Sequence, residues 1–249
     1  MEKIPGRNPV IEALKAGRRI DKVLVATGAD VANLIALARA RGVPVEEVDR
    51  RYLDGLVKEK HQGVVALAEA VAYSDISELH EVASGRHEPP LFVALDSIQD
   101  PQNLGSILRS VDALGGHGVI LPERRSAGLS GAVSRASAGA VEYVKVAQVT
   151  NLARTLDALK EQGLWVIGLD GAGRDTIWDV DFKAPSVIVV GGEGKGLGRL
   201  VKEKCDIVCR IPMLGQVSSL NAGIAAALAL YEARRQRTGL DSILVDRYN

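Results

Sequence analysis

Apolar runs rich in Val, Ile and Leu alternate with stretches of helical periodicity along most of the chain, which predicts alternating strands and helices. In residues 1–73, strands are predicted at KVLVA, at PVEEV and in HQGVVALAEAV, and helices after Asn8, at VANLIALARARG and at RYLDGLVKEK. Asn8 followed by Pro9 suits a helix start, because Asn caps a helix and Pro fits its first turn. We expect a small layered α/β module here.

Residues 74–90 are polar and end in two prolines, which predicts a linker with about one helical turn. The alternation restarts at Leu91, with strands predicted at LFVALD, HGVIL, YVKVAQV, LWVIGLD, SVIVVG and DIVCRIP. Helices are expected after Asn103, Asn151 and Leu197, and from about Ser219 to Arg235. Such continuous apolar strands are typical of a parallel sheet covered on both faces, so residues 91–249 are predicted to form a larger α/β domain.

Composition is that of a water-soluble globular protein, with 47% hydrophobic and 25% charged residues in 249. The N-terminus lacks the layout of a signal peptide and no apolar run reaches about 20 residues, so we expect a cytoplasmic protein without a membrane partner. Cys205 and Cys209 lie in an apparent strand and only four histidines are present. We therefore expect buried thiols and neither a disulfide framework nor a metal site.

The net charge is +0, from 31 basic and 31 acidic residues, so the overall charge of a typical nucleic-acid-binding protein is missing. Basic residues do cluster locally, and each cluster is either a binding patch or ordinary solvated surface. The clusters are Arg18 with Arg19, Arg50 with Arg51, Arg124 with Arg125, and Arg234 with Arg235 and Arg237.

Three segments that follow predicted strands are unusual, and ligands of parallel α/β sheets bind at the carboxyl ends of strands. The first loop, residues 96–115, is DSIQDPQNLGSILRSVDALG, in which a strand ends at Asp96 and a helix carries Arg109. Asn103 lies near the start of that helix, about two turns before Arg109. The alternative is that Asn103 only caps the helix and Arg109 is a surface side chain.

The second loop, GGEGKGLG, residues 191–198, lets a backbone approach a ligand closely. It is neither a G-x-G-x-x-G dinucleotide motif in register nor a Walker A loop, since Lys195 precedes Gly196 rather than Ser or Thr. Glu193, the one acidic residue in it, is either a solvated turn residue or a ligand for a polar or cationic group.

The third loop, in residues 211–237, contains Pro212 and Gly215 and leads through Ser218, Ser219 and Asn221 into an alanine-rich helix. One interpretation makes a serine the helix cap and the helix a core or dimer-contact element. It leaves unexplained why Ser219 and Asn221 adjoin a loop of the same character as the other two.

Together the loops read D-P-x-N-L-G-x-I-x-R, then G-x-E-G-x-G-L, then I-P-M-x-G-x-x-x-S-L-N, and end in an A-x-x-L-x-L-Y-E helix. In this order they resemble the three motifs of the SpoU (TrmH) family of SPOUT α/β-knot methyltransferases. The start G-R-N-P-V-I-E-A-L and the later H-Q-G-V-V-A resemble the L30e-like RNA-binding domain of 23S ribosomal RNA guanosine methyltransferases of the RlmB type. The resemblance implies a parallel sheet with a deep trefoil knot, and a homodimer with its active site near the subunit interface.

The resemblance further implies that the protein is an enzyme that methylates a ribose 2′-hydroxyl of RNA, a 23S guanosine above all, with S-adenosyl-L-methionine as cofactor. Arg109 corresponds to the family's catalytic residue; because arginine stays protonated, we expect it to grip a phosphate and stabilise alkoxide charge. The other catalytic residues implied are Asn103, Glu193, Ser219 and Asn221. The implied cofactor-binding residues are Gly191, Gly192, Glu193, Gly196, Ile211, Met213, Ser219, Leu220 and Asn221.

Three alternatives stay open. In the first, the substrate is a transfer RNA or another ribosomal nucleotide, as in antibiotic-resistance methylation. In the second, the protein is a catalytically silent RNA-binding assembly factor. In the third, the glycine loop binds nucleotide phosphates. The intact set of five site residues argues against the silent protein, and the motif register argues against the phosphate site. Few aromatic residues, 4% of the chain, lead us to expect RNA recognition by shape and phosphate contacts of the N-terminal domain.

Overall fold

The structure is a computed structural model and describes residues 1–192, 194, 196–217 and 219–238. The strands of the described residues are β1 (Glu2–Pro5), β2 (Ile20–Ala26), β3 (Val45–Val48), β4 (Val64–Ala68), β5 (Leu91–Asp96), β6 (Gly118–Pro122), β7 (Val146–Val149), β8 (Trp165–Leu169), β9 (Asp175–Thr176), β10 (Ser186–Gly191) and β11 (Ile207–Arg210). The helices are α1 (Arg7–Lys15), α2 (Ala32–Ala40), α3 (Arg50–Leu56), α4 (Ile76–Gly85), α5 (Pro101–Ala113), α6 (Gly131–Ala136), α7 (Leu152–Glu161), α8 (Arg199–Lys204) and α9 (Ala222–Arg237).

Internal contacts divide the chain into two units. Unit 1 contains Met1–Ala72, Leu104–Arg109 and Gly128–Tyr143, and unit 2 contains the other described residues. The division of the sequence into residues 1–73, 74–90 and 91–249 stays a prediction, since unit 1 draws on three separate stretches.

Unit 1 has a four-stranded sheet in the order β1-β4-β2-β3, in which only the β2–β3 pair is parallel. Its core is built from apolar side chains of α1, α2 and the strands, such as Ile4, Leu14 and Leu34, all buried. Helix α1 begins after Gly6, which has a φ of 107°. Asn8 therefore lies inside the first turn, and its prediction as the cap is wrong.

Unit 2 contains a seven-stranded sheet in the order β7-β6-β5-β10-β8-β11-β9, and every pair in it is parallel. The predicted parallel α/β sheet is thus confirmed. All six predicted strands are present, with shifts of at most three residues at their ends, as β5, β6, β7, β8, β10 and β11. One core layer packs Phe92 and Val187 of the sheet against Leu156 of α7. The trefoil knot stays a prediction.

The segment 74–90 contains a ten-residue helix, α4, where about one turn is predicted. A capping box starts this helix: the backbone N–H of Asp75 donates to Oε1 of Glu78 at 3.0 Å. Leu79 is fully buried, and a Cβ on Gly118 would lie 2.8 Å from its Cδ2 atom. The segment therefore contributes to the core of unit 2.

Helices α5 and α9 are capped by residues other than those considered from the sequence. Helix α5 begins at Pro101, and the Asp100 side chain caps it by accepting from the N–H of Gln102 at 3.0 Å. Helix α9 begins at Ala222 with Asn221 as its cap. Asn103 is therefore not a helix cap, and the interpretation of a serine as the cap of α9 is wrong.

The two cysteines are not both in a strand. Cys205 follows α8 and Cys209 lies in β11, and burial raises the pKa of the first thiol to about 12 and of the second to about 11. Within the described part of the chain, no helix is long and apolar enough to cross a membrane, and no cluster of potential metal ligands is found.

Candidate active site

A cavity of about 710 Å³ lies at the carboxyl ends of β8 and β10, where the loops after β10 and β11 meet. Eight of the nine residues predicted to bind the cofactor line it: Gly191, Gly192, Gly196, Ile211, Met213, Ser219, Leu220 and Asn221. The ninth, Glu193, lies outside the described residues. Their convergence on one cavity is observed, and their role in binding stays a prediction.

The second loop folds back tightly on itself, which explains its glycines. The N–H of Gly196 donates to the carbonyl oxygen of Gly192 at 3.1 Å. A Cβ on Gly191 would lie 2.6 Å from the nitrogen of Leu197, and one on Gly192 would lie 2.7 Å from the carbonyl oxygen of Ser97. Side chains at these positions would clash with backbone, so glycine is required for the cavity wall to form.

Asp96, at the end of β5, links the first loop to the second. Its Oδ2 atom accepts from the N–H of Gly198 at 2.7 Å, and its Oδ1 accepts from Oγ of Ser97 at 3.1 Å. Gly198 is the cap residue of α8. Sequence reasoning gave Asp96 no such role, since an acid at the end of a strand is not a distinctive motif.

Asp170, directly after β8, supplies a carboxylate to the cavity and was also missed. Its Oδ2 atom lies 3.0 Å from Nζ of Lys202, and its Oδ1 accepts from the N–H of Ala172 at 2.9 Å. Burial acts to raise the pKa of Asp170, but these two contacts outweigh it and hold the pKa below its ordinary value. The cavity therefore contains an ionised acceptor for hydroxyl or ammonium groups at neutral pH.

Asn103 contacts Asn221, which lines the cavity. Asn103 is buried, and its Oδ1 accepts from Nδ2 of Asn221 at 2.7 Å. The Oδ1 atom of Asn221 in turn accepts from the N–H groups of Gly223 and Ile224 at the start of α9. Two of the five predicted catalytic residues are thus in direct contact, and a third, Ser219, lines the same cavity.

Arg109 is placed differently from the other predicted catalytic residues. It is exposed on α5, about 9 Å along the helix from Asn103 and about 120° around it. Among the described residues, Arg109 has neither a hydrogen-bond nor an ion-pair partner. Its side chain is therefore available to an external ligand.

Arginines of two basic clusters, the one in α9 and the pair Arg18 with Arg19, form contacts within the protein. In α9, Arg234 forms an ion pair with Glu88 at 3.3 Å and donates to the carbonyl of Leu114, while Arg237 donates to the carbonyls of Pro90 and Ala184. Burial lowers the pKa of Arg237 to about 10. These contacts are not available to RNA.

Arg18 is also internal, since its side chain is buried in ion pairs with Glu2 and, at 2.7 Å, with Glu142. The pairs Arg50 with Arg51 and Arg124 with Arg125 are exposed. They remain candidates for an RNA patch.

Comparison with known proteins identifies the family. Residues 90–231 match the SpoU rRNA Methylase family, and residues 3–74 match the domain described as RNA 2′-O ribose methyltransferase substrate binding. A Bacillus subtilis (strain 168) protein named as a TrmH family tRNA/rRNA methyltransferase, YacO, is 46% identical over 235 residues, which cover 93% of this chain and 94% of the relative. A Mycolicibacterium gilvum tRNA/rRNA methyltransferase, named as uncharacterized, is 46% identical over 241 residues and is covered to 77%.

Solved structures agree. The SpoU methyltransferase AviRb from Streptomyces viridochromogenes, in complex with AdoMet, superposes with a TM-score of 0.79 and 29% identity over 94% of this chain and 90% of that one. An AdoMet-bound rRNA methyltransferase from Sinorhizobium meliloti superposes with a TM-score of 0.75 and 30% identity over 95% of this chain and 88% of that one. A protein with this fold and these relatives is an RNA methyltransferase. The chain belongs to the SpoU rRNA methylase family.

Proposed function

We propose that the protein transfers a methyl group from S-adenosylmethionine to a ribose 2′-hydroxyl of RNA, and that its target is a guanosine of 23S ribosomal RNA. The observation that carries this proposal is the cavity at which the second and third loops and the Asn103–Asn221 contact converge. The L30e-like resemblance of the first 73 residues favours ribosomal RNA, and the AdoMet complexes of structural relatives support the cofactor.

The cavity fits such a cofactor. Its volume of about 710 Å³ is in the range of small-molecule sites. Backbone at Gly191, Ile211 and Leu220 offers hydrogen-bonding groups for the adenine and ribose end, and the Asp170 carboxylate suits a hydroxyl or the ammonium group. When bound, S-adenosylmethionine supplies an activated methyl group on its sulfonium.

The chain's own residues then position the RNA ribose. Asn103 and Asn221 hold each other and are proposed to orient the ribose and the cofactor, together with Ser219 and Glu193. Arg109, as a guanidinium, grips the neighbouring phosphate and stabilises the negative charge that develops on the 2′-oxygen while the hydroxyl proton passes to water. Catalysis is therefore mainly positioning and electrostatic stabilisation.

We further propose a homodimer. Ile224, Leu228 and Tyr231 are exposed at spacings of four and three residues on α9, and so form one apolar stripe. Leu214 and Val217 are exposed in the loop before that helix. Burial of this surface against a second copy explains the stripe, and the exposed Arg109 then completes a site at the subunit interface.

The trefoil knot, which the family resemblance implies, belongs to the same proposal, together with the cytoplasmic location and the three-part domain division that the sequence predicts. Residues 1–73 would bind RNA through shape and phosphate contacts. A flat dependence of RNA affinity on salt concentration would contradict phosphate-led binding.

The test is methylation of unmodified RNA. The protein is incubated with labelled S-adenosylmethionine and unmodified ribosomal and transfer RNA, and the methylated riboses are mapped. We expect one guanosine of 23S RNA to be labelled. Label in transfer RNA or at another ribosomal nucleotide would identify that RNA as the substrate instead. Absence of label with intact RNA binding would favour the silent assembly factor.

The variant Arg109→Ala distinguishes a catalytic role of Arg109 from a structural one. We expect methyl transfer to be abolished while calorimetry shows nearly unchanged cofactor binding, because Arg109 acts on RNA. Equal loss of both would show that its role is structural.

A further inference from the structure

Helices α5 and α6, both represented in unit 1, approach each other very closely beside Arg109. A Cβ on Gly105 would lie 2.8 Å from both the carbonyl carbon of Ala136 and the nitrogen of Ser137. Arg109 follows Gly105 by one helical turn and so lies on the same side of α5, about 6 Å along the axis. Arg135 directly precedes Ala136. The two arginines therefore flank one helix contact.

Among the described residues, Arg135 has no acidic partner for its charge. Its side chain is partly buried, and its Nε atom has neither solvent contact nor a hydrogen-bond partner in the described part of the chain. Other buried guanidinium groups have partners: Arg18 and Arg234 form ion pairs with Glu142 and Glu88, and Arg237 donates to backbone carbonyls. Leaving a desolvated donor unpaired is unfavourable, so this site suits an anion that arrives from outside.

We propose that Arg135 binds a phosphate of the RNA substrate next to the phosphate held by Arg109. A guanidinium presents a planar fork of N–H donors that matches two phosphate oxygens, whereas neutral ligands leave its charge unpaired. Two such groups on adjoining helices would fix the direction of the RNA backbone. This inference rests on the proposed function, because it names a further residue that positions the same substrate.

The test compares Arg135→Gln with Arg154→Gln. Arg154 is an exposed arginine of α7 with no ion pair among the described residues, so its replacement removes the same charge away from the site. RNA affinity is measured over a range of salt concentrations. We expect Arg135→Gln to flatten the slope of log K against log salt by about 0.7 to 0.9, as one lost phosphate contact requires, and Arg154→Gln to keep the wild-type slope.

Kinetics and stability distinguish binding from a structural role. We expect Arg135→Gln to lower kcat/KM for RNA about 10- to 100-fold, the effect of losing a hydrogen bond to a charged group, with cofactor affinity unchanged. Its melting temperature should equal or exceed that of the wild type, since an unpaired buried charge is removed. Arg135→Lys keeps the charge but loses the planar fork, so it should retain most of the salt slope while kcat/KM for RNA falls, and it carries the test if the Gln variant does not fold.

The inference is overturned if Arg135→Gln binds RNA with the wild-type salt slope and retains wild-type kcat/KM, or, where the Gln variant does not fold, if Arg135→Lys retains wild-type kcat/KM. Failure of the wild-type protein to methylate RNA in the same assay would instead overturn the proposed function.

Discussion

The side-chain amide of Asn221 forms hydrogen bonds through both its oxygen and its nitrogen. Its oxygen accepts the first N–H groups of α9, and its nitrogen donates to Asn103. Only an amide offers an acceptor and a donor on one short side chain, because a carboxylate has no hydrogen to donate. The residue therefore couples the start of a helix to the first loop.

Replacement of Asn221 should separate these two functions. Asn221→Ala removes both, and we expect the free energy of unfolding to fall by about 1–2 kcal/mol, measured by denaturant titration. Asn221→Asp keeps the helix cap but sets a carboxylate against Oδ1 of Asn103, so methyl transfer should be lost with a smaller loss of stability. Wild-type methyl transfer in the Asp variant would contradict a role for the contact.

His117 should make stability depend on pH. The Leu91 N–H donates to its Nδ1 at 3.0 Å, and burial, opposed by Glu88, lowers its pKa from 6.5 to about 4. Between these values the unfolded chain binds more protons, so the contribution is complete above about pH 6.5 and is lost as the pH falls towards 4. Thermal unfolding from pH 4 to 7 should show this rise. His117→Gln, which cannot titrate, should show a flatter dependence, and an equal slope would contradict the assignment.

The contact between α5 and α6 predicts that Gly105 tolerates no side chain. In Gly105→Ala, the new methyl group would meet the backbone at Ala136 and Ser137, which cannot move as a flexible side chain could. We expect a loss of about 1–3 kcal/mol in unfolding free energy and reduced methyl transfer. Gly85→Ala, at a helical glycine with open space around it, is the control and should be neutral or stabilising. Equal stability of both variants would contradict close packing.

The elements read most reliably from the sequence were the strands of the parallel sheet. β5 and β10 are continuous apolar runs, and their bounds match LFVALD and SVIVVG. α6 has the sequence GAVSRA, whose small and polar residues resemble a loop. Helix α6 is stabilised by packing against residues distant in sequence. The carbonyl of Lys3, for example, fills the space that a Cβ on Gly131 would need.

For the site, motif spacing located the loops but not the contacts. Glycines at positions 191 and 192 signalled a close backbone approach, which the structure shows. Asn103 and Asn221 are 118 residues apart, so nothing in their spacing could establish a hydrogen bond. Asp170 ends a strand with no accompanying motif, and its contact with Lys202 depends on the fold.

For the whole molecule, the apolar stripe on α9 predicts the oligomeric state. Ile224→Glu combined with Leu228→Glu should convert a dimer into a monomer, because two charges would be buried without partners. Sedimentation velocity measures this change, and methyl transfer should fall with it. Trp165→Glu, an exposed apolar residue at the amino end of β8, should leave the dimer intact. A wild-type monomer, or a dimer in the double variant, would contradict the proposed interface.

The composition of unit 1 has a consequence for synthesis of the protein. The ribosome delivers residues 1–72 first, but Arg18 finds Glu142 only after another 70 residues have been translated. The nascent N-terminal sheet can therefore pair Arg18 with Glu2 but not yet with Glu142, and this first part of the chain reaches its final form only when the stretch that ends at Tyr143 has left the ribosome.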